Sequence, residues 1–178
     1  MLTTLAKAKS LIGLDIPDED LKTLLMVSSQ FIEEYCRRKF KKQTYSVKVD
    51  GLKGGFIRLP NYPVHTISAD VDGDILDGIE ALDDGILYRS DGWPVGIRTI
   101  SITYMAGYVL PEEATEANPS TLPETIEYAC ILLAKHLQRE HGVTSERVGD
   151  ISVSYAADQM DMPMAVKSLL APHVRPDM

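Results

Sequence analysis

Cysteine is scarce in this chain of 178 residues: Cys36 and Cys130 are the only two. Two cysteines make no disulfide framework, and no supporting motif stands beside either to mark a redox or nucleophilic thiol. Both fall on apolar faces of predicted helices, where a thiol serves as a small buried hydrophobe. Long apolar runs are also missing. None approaches the roughly 18 residues that a membrane-spanning helix needs. The opening stretch MLTTLAKAKSLIGLD has no sustained apolar core and no small-residue cleavage site, and its lysines interrupt the apolar positions. It is not a secretory signal, and the expectation is a soluble protein kept inside the cell that makes it. Basic charge is in deficit as well, with 18 Lys and Arg against 26 Asp and Glu, a formal net charge of −8. A protein that grips nucleic acid normally carries a basic surface. The balance therefore argues against a freestanding DNA binder, whereas a surface that DNA slides past tolerates negative charge.

About 44% of the residues are hydrophobic, ample material for a core, and the length suits one domain with an elaborated insertion. The spacing predicts a short helix over 4–13. After a break at 15–18 a second helix is capped by Asp18 and buries Leu21, Leu24, Leu25, Ser28, Phe31, Ile32 and Tyr35 on one face. From Lys41 the apolar period changes to two. Strands are predicted over 44–49, 56–59, 65–71, 86–89 and 99–105, with Gly- and Asp-rich turns between them.

An acidic, Pro-rich loop covers 109–122. Thr121 and Glu124 have capping-box spacing, and Pro123 suits a first helical turn. The helix that follows, to about Glu140, carries Ile126, Ala129, Cys130, Leu133 and Leu137 on one stripe, widened by Ile131, Leu132 and Ala134. Apolar over so much of its girth, it is expected to be central. Residues 145–156, SERVGDISVSYA, read as mixed charge, a turn at Gly149-Asp150, and a short alternating strand of Ile151, Val153 and Tyr155. A last helix starts at Asp161–Pro163 and stops at Pro172, followed by a tail.

The expected fold is α+β, a single domain over 1–178. A small helical bundle (about 1–42 and 120–178, with two N-terminal helices, one long central helix and a short C-terminal helix) carries an inserted antiparallel β region over about 43–108.

No constellation for chemistry emerges. Asp70, Asp72 and Asp74 match the first ligand positions of a calcium loop, but Ile75 stands where the glycine belongs and Ala81 where the glutamate belongs. A solvated hairpin turn is the plainer reading, with a calcium-dependent binding module as a weak alternative. His136 and His141 are five apart, which on a helix turns the rings about 140° from one another and spoils a zinc pair. Ser145, Glu146, Asp150 and His141 crowd one loop, with no nucleophile-elbow motif. GLKGG, 51–55, lacks the phosphate-loop spacing. The chain therefore reads as a non-enzyme, with no catalytic, cofactor or metal residue assigned. In YCRRKF, 35–40, the basic residues Arg37, Arg38 and Lys39 either complement a helix C-terminus or contact DNA or an acidic partner.

Four segments occurring together and in order, FIEEYCRRKF, IRLPNYPVHTI, ISITYMAGY and SERVGDISVSY, resemble the head–tail connector (adaptor, or head-completion) proteins of tailed double-stranded-DNA bacteriophages and prophages. The β region is larger than in the smallest members of that family. The resemblance implies a structural virion protein with no catalytic residues. It implies a homo-oligomeric ring under the portal protein, in the virion neck, that forms after packaging from subunits in the bacterial host cytoplasm. Such a ring extends the channel for passing double-stranded DNA, without sequence recognition, and presents a surface to a downstream neck or tail protein. Another neck, tail-completion or head-closure role is the alternative.

In such a ring the strand at 151–155 either joins its own β region or pairs with the next subunit. Val148, Ile151, Val153 and Tyr155 are the candidate subunit interface, with Val153→Pro as the substitution expected to block assembly. His173 and Arg175 in the tail are candidates for portal docking.

Overall fold

The computed structural model describes residues 1–12, 17–51, 54–140, 145–148, 151–154 and 162–176, with backbone alone from 139 to 154. The chain divides into two compact units. One comprises 1–36, 111–113 and 122–178; the other comprises 37–110 and 114–121. Helix and strand are both abundant and the sheets of the second unit are antiparallel, so the class is α+β as expected.

The first unit is helical. It contains α1 (Leu5–Ile12), α2 (Asp18–Cys36), α3 (Glu124–Glu140) and α4 (Met164–Leu170), the last running into a 3-10 turn at Ala171–His173 that holds Pro172. Asp18, Glu19 and Asp20 fill the first turn of α2, where carboxylates complement the helix dipole. Leu21, Leu25, Ser28, Ile32 and Cys36 recur every three or four residues and are buried. α3 packs against α1, α2 and α4. This is why its apolar residues wrap so much of its circumference: Ile126, Ala129, Cys130, Ile131, Leu133 and Ala134 are all buried. Val166 and Leu170 bury the inner face of α4.

The second unit begins at Arg37, whose φ of 55° is left-handed and so cannot continue α2. Its strands are β1 (Gln43–Gly51), β2 (Phe56–Arg58), β3 (Val64–Val71), β4 (Asp74–Ile75), β5 (Ile79–Ala81), β6 (Ile86–Arg89) and β7 (Gly96–Ala106). They form a four-stranded sheet of order β1-β7-β3-β4 and a three-stranded sheet of order β2-β6-β5. β7 is central. Its Ile100, Ile102 and Tyr104 lie opposite Val49, Val47 and Tyr45 of β1, and opposite Val71, Ala69 and Ile67 of β3. Residues directly opposite share a face, so these nine side chains build one apolar layer. Leu59, Leu87 and Trp93 complete the core, and the Trp93 indole N–H donates to the Gly55 carbonyl at 3.1 Å. Ser46 and Thr103 meet at 3.2 Å on the opposite, polar face.

The Asp-rich segment is the β3–β4 hairpin. Asp72 and Gly73 form its two-residue loop with φ of 51° and 94°, and Asp70 Oδ1 accepts the Gly73 N–H at 3.3 Å.

The strand near 151 has a partner within the chain that neither expectation named. β9 (Ile151–Ser154) pairs antiparallel with β8 (Ser145–Val148), the stretch just before it, in a two-stranded sheet of its own. Among the described residues it pairs with no strand of the β region. The mixed charge of SERV concealed β8, because backbone pairing across a short connection makes no demand for apolar side chains. Tyr155 lies outside the described residues.

Candidate functional site

Three of the four segments that carry the family resemblance meet in one place. Arg37 and Lys39 are exposed, but Arg38 between them is only 4% exposed. Its guanidinium carbon stands 3.3 Å from the Tyr62 ring centroid, 5.0 Å from that of Phe40 and 5.9 Å from that of Tyr108. Nη2 donates to the Tyr62 carbonyl, while Nε and Nη1 make no hydrogen bond. A planar, weakly hydrated cation suits such a stack.

The backbones around it are laced together. Lys39 N donates to Asn61 Oδ1 at 2.7 Å and Asn61 Nδ2 to Tyr104 Oη at 3.4 Å. Tyr108 N donates to the Phe40 carbonyl at 2.7 Å, Lys42 N to that of Tyr108 at 2.8 Å, and Gly107 N to that of Pro63 at 3.0 Å. Gly107 has φ of 106°, and a Cβ there would lie 2.5 Å from the Lys41 carbonyl oxygen. The Tyr62–Pro63 peptide in this cluster is cis. Arg38 is thus an interior strut. Its inclusion among surface contacts for DNA or an acidic partner is corrected, because a cation so deeply covered presents no charge to a partner. Of the three, Arg37 and Lys39 keep that candidacy.

The C-terminal candidates are tied down within the helical unit. His173 Nε2 and Thr125 Oγ1 are 3.0 Å apart, and Arg175 N donates to the Cys36 carbonyl at 3.0 Å, at the end of α2. Both residues are half-buried. Of the four proposed interface residues, Val148 closes β8, Ile151 opens β9 and Val153 lies opposite Glu146.

One polar centre escaped the sequence reading. Glu127 on α3 is 5% exposed and Thr3 is fully buried. Thr3 Oγ1 donates to Glu127 Oε1 at 2.9 Å, and Lys7 Nζ donates to Oε2 at 2.6 Å. The carboxylate pins the segment leading into α1 against α3. The available signal was its spacing, four and seven residues before buried Ile131 and Ala134. Beside it, Lys7, Leu11, Glu124, Thr125, Tyr128, Ile131 and Leu169 line a groove of about 350 Å³ between α1, α3 and α4. Of the lining residues Thr125 meets an imidazole, that of His173, at 3.0 Å.

Thr121 does not form the capping box. Its hydroxyl instead accepts the Val109 N–H at 3.0 Å. Both cysteines are buried. Burial pushes the Cys130 thiol up to about 11 from 9.0, against a smaller opposing effect of its contact with Ser29. The thiol is therefore neutral, folded or unfolded, below about pH 9. As pH rises from about 9 towards 11 the unfolded chain ionises first, so stability is lost progressively across that window and is not regained above it. The expected result is no Cys130 labelling by a thiol reagent at pH 8 in the folded protein and full labelling in denaturant; rapid native labelling would contradict the burial.

Among the described residues, no three His, Cys, Asp or Glu side chains are placed to hold a metal ion. His141 and Asp150 lie outside those residues, and Ser145 and Glu146 belong to β8. No described helix is long and apolar enough to cross a membrane.

A model of the head completion protein family matches residues 1–175. Among solved structures, a chain in the neck of an empty gene transfer agent (GTA) particle, computed with C6 symmetry, aligns with a TM-score of 0.62 at 16% identity, covering 99% of this chain and 91% of that one. A chain in the neck of the native GTA particle, computed with C12 symmetry, gives 0.61 at 16% identity with the same coverage. A third, in the virion of the native particle, gives 0.60. At this identity the likeness is one of fold. No curated protein matches.

Proposed function

This chain belongs to the head completion protein family, and we propose that it is a structural component of a virion neck, where copies close into a ring between portal and tail after the genome is packaged. The observation that carries the proposal is the family match over residues 1–175. The fold supports it, being shared along almost the whole chain with neck chains of gene transfer agent particles. The ring extends the DNA channel and presents a surface to the next neck or tail protein. Its action is mechanical: subunit contacts, portal docking and passage of DNA.

The charge agrees with that work. A formal net charge of −8 keeps phosphates from adhering to a channel wall. Asp72, Asp74 and Glu116 are exposed acids that suit it, while Glu112 pairs with the N-terminal amine at 2.9 Å. The Ala171–His173 turn and Arg175, held on the helical unit, form the portal-facing candidate. Arg37 and Lys39, both exposed, remain the candidates for contact with DNA or an acidic partner.

The test is deletion of the gene from the phage or prophage that carries it, followed by electron microscopy of lysates and measurement of DNA retained in the heads. The expected result is free tails beside heads that have lost or are leaking DNA. Normal infectious particles overturn the proposal.

A further inference from the structure

We infer that the β8–β9 hairpin of one copy adds, through β9, to the outer edge of β1 in the next copy. This rests on the ring proposed above and names the contact that closes it. A hairpin of two four-residue strands is marginal on its own in water. Among the described residues these strands pair with each other and with no other strand, so the hairpin gains from a sheet to extend.

The two larger sheets offer four edge strands: β1 with nine residues, β4 with two, and β2 and β5 with three each. β3 is covered by β4 only at Asp70 and Val71, but the rest of its outer side is interrupted by the register shift between Val64 and Thr66, and the Ala69 carbonyl already accepts the Leu76 N–H. Among the described residues β1 alone offers an edge of more than four residues in unbroken register. Its register is unbroken from Gln43 to Val49, with no proline and a single charged residue, Lys48. A long regular edge of this kind is a template for strand addition. The association is carried by main-chain hydrogen bonds, which ask little of the side chains. Hairpin and edge are different surfaces of the same chain, so the contact is head-to-tail, the kind that generates a ring when the rotation per subunit closes.

The register of the hairpin identifies the edge used. Two residues separate Val148 from Ile151, which makes them a hydrogen-bonded pair; by alternation Glu146 and Val153 form another. The amides of Ser152 and Ser154 then point away from β8, towards an incoming strand. Val153→Pro would damage the hairpin itself. Ser152→Pro removes a donor from the open edge alone.

The experiment uses particles assembled with the full-length chain. Ser152→Cys is combined with Ser46→Cys in one version and with Lys48→Cys in another, both on the exposed face of β1, and oxidised particles are run on non-reducing gels. The expected result is a ladder of covalently linked copies with at least one pair. Ser152→Pro is expected to leave the purified monomer's melting temperature unchanged and to abolish incorporation into particles. Incorporation of both double-cysteine chains with no inter-copy bond, or normal incorporation of Ser152→Pro, overturns the hairpin contact and leaves the neck role standing. Absence of the unsubstituted chain from the particles overturns both.

Discussion

Replacing Glu127 with alanine is expected to destabilise the helical unit by about 3 kcal/mol, read as a fall of roughly 6 to 12 °C in Tm. The Glu127 side chain is 7% exposed and accepts hydrogen bonds from fully buried Thr3 and from Lys7. Truncation leaves the Thr3 hydroxyl stranded where water does not reach, and a hole where the carboxylate stood; both effects add to the cost. The lysine contributes less, because its side chain is 43% exposed and rehydrates when released. Glu127→Gln keeps an acceptor for Thr3, with an expected cost of about 1 kcal/mol, and Lys7→Met is expected to cost less than about 1 kcal/mol. Chemical denaturation of the three variants gives the order directly. An alanine variant within about 0.5 kcal/mol of the parent would show that Thr3 finds another partner.

Gly51→Ala is expected to be worse, costing the β unit roughly 4 kcal/mol. Gly51 ends β1 opposite Gly96, just past the register shift that follows Val49. A Cβ built on it falls 1.5 Å from the Pro94 carbonyl oxygen and 2.7 Å from the carbonyl carbon. The obstacle is backbone, so no side-chain rotation relieves it. The two chain segments must separate, and the Ile100 side chain, 3.2 Å from the same point, moves with them. Gly54 is the matched control, since a Cβ there meets nothing within 4 Å; Gly54→Ala is expected to stay within about 0.5 kcal/mol of the parent. Urea denaturation of both variants decides it, and equal midpoints would mean that the strand end relaxes freely.

What the sequence disclosed follows from periodicity. α2 and α3 were legible because their apolar residues recur at helical spacing on a scaffold of strong packing. β1, β3, β6 and β7 were legible because Val47, Ile67, Leu87 and Ile102 alternate with polar neighbours. β4 and β5 were not: two and three residues are too few to display a period, and their place is set by tertiary pairing to β3 and β6. β8 was hidden by its charge.

The candidate site divided the same way. Arg38 was misjudged because a basic cluster at a helix end looks solvated, and nothing local announces three rings from distant parts of the chain. The anchors of the tail residues His173 and Arg175, Thr125 and the Cys36 carbonyl, were not legible because they lie far away in sequence. Thr121 shows the converse error, a correct local motif whose hydroxyl is claimed by Val109.

The knot around Arg38 bears on how such chains are told from one another. Three of the four recognisable segments, those contributing Phe40, Tyr62 and Tyr108, are spent on interior lacing. The buried residues of these segments hold the chain together and touch no partner, whereas Arg37 and Lys39 lie in the same segments and are exposed. Under the function proposed above, differences between partners would be read from exposed positions such as Arg37 and Lys39 and from the outer edge of β1, and the buried knot would stay the same whichever partner is bound.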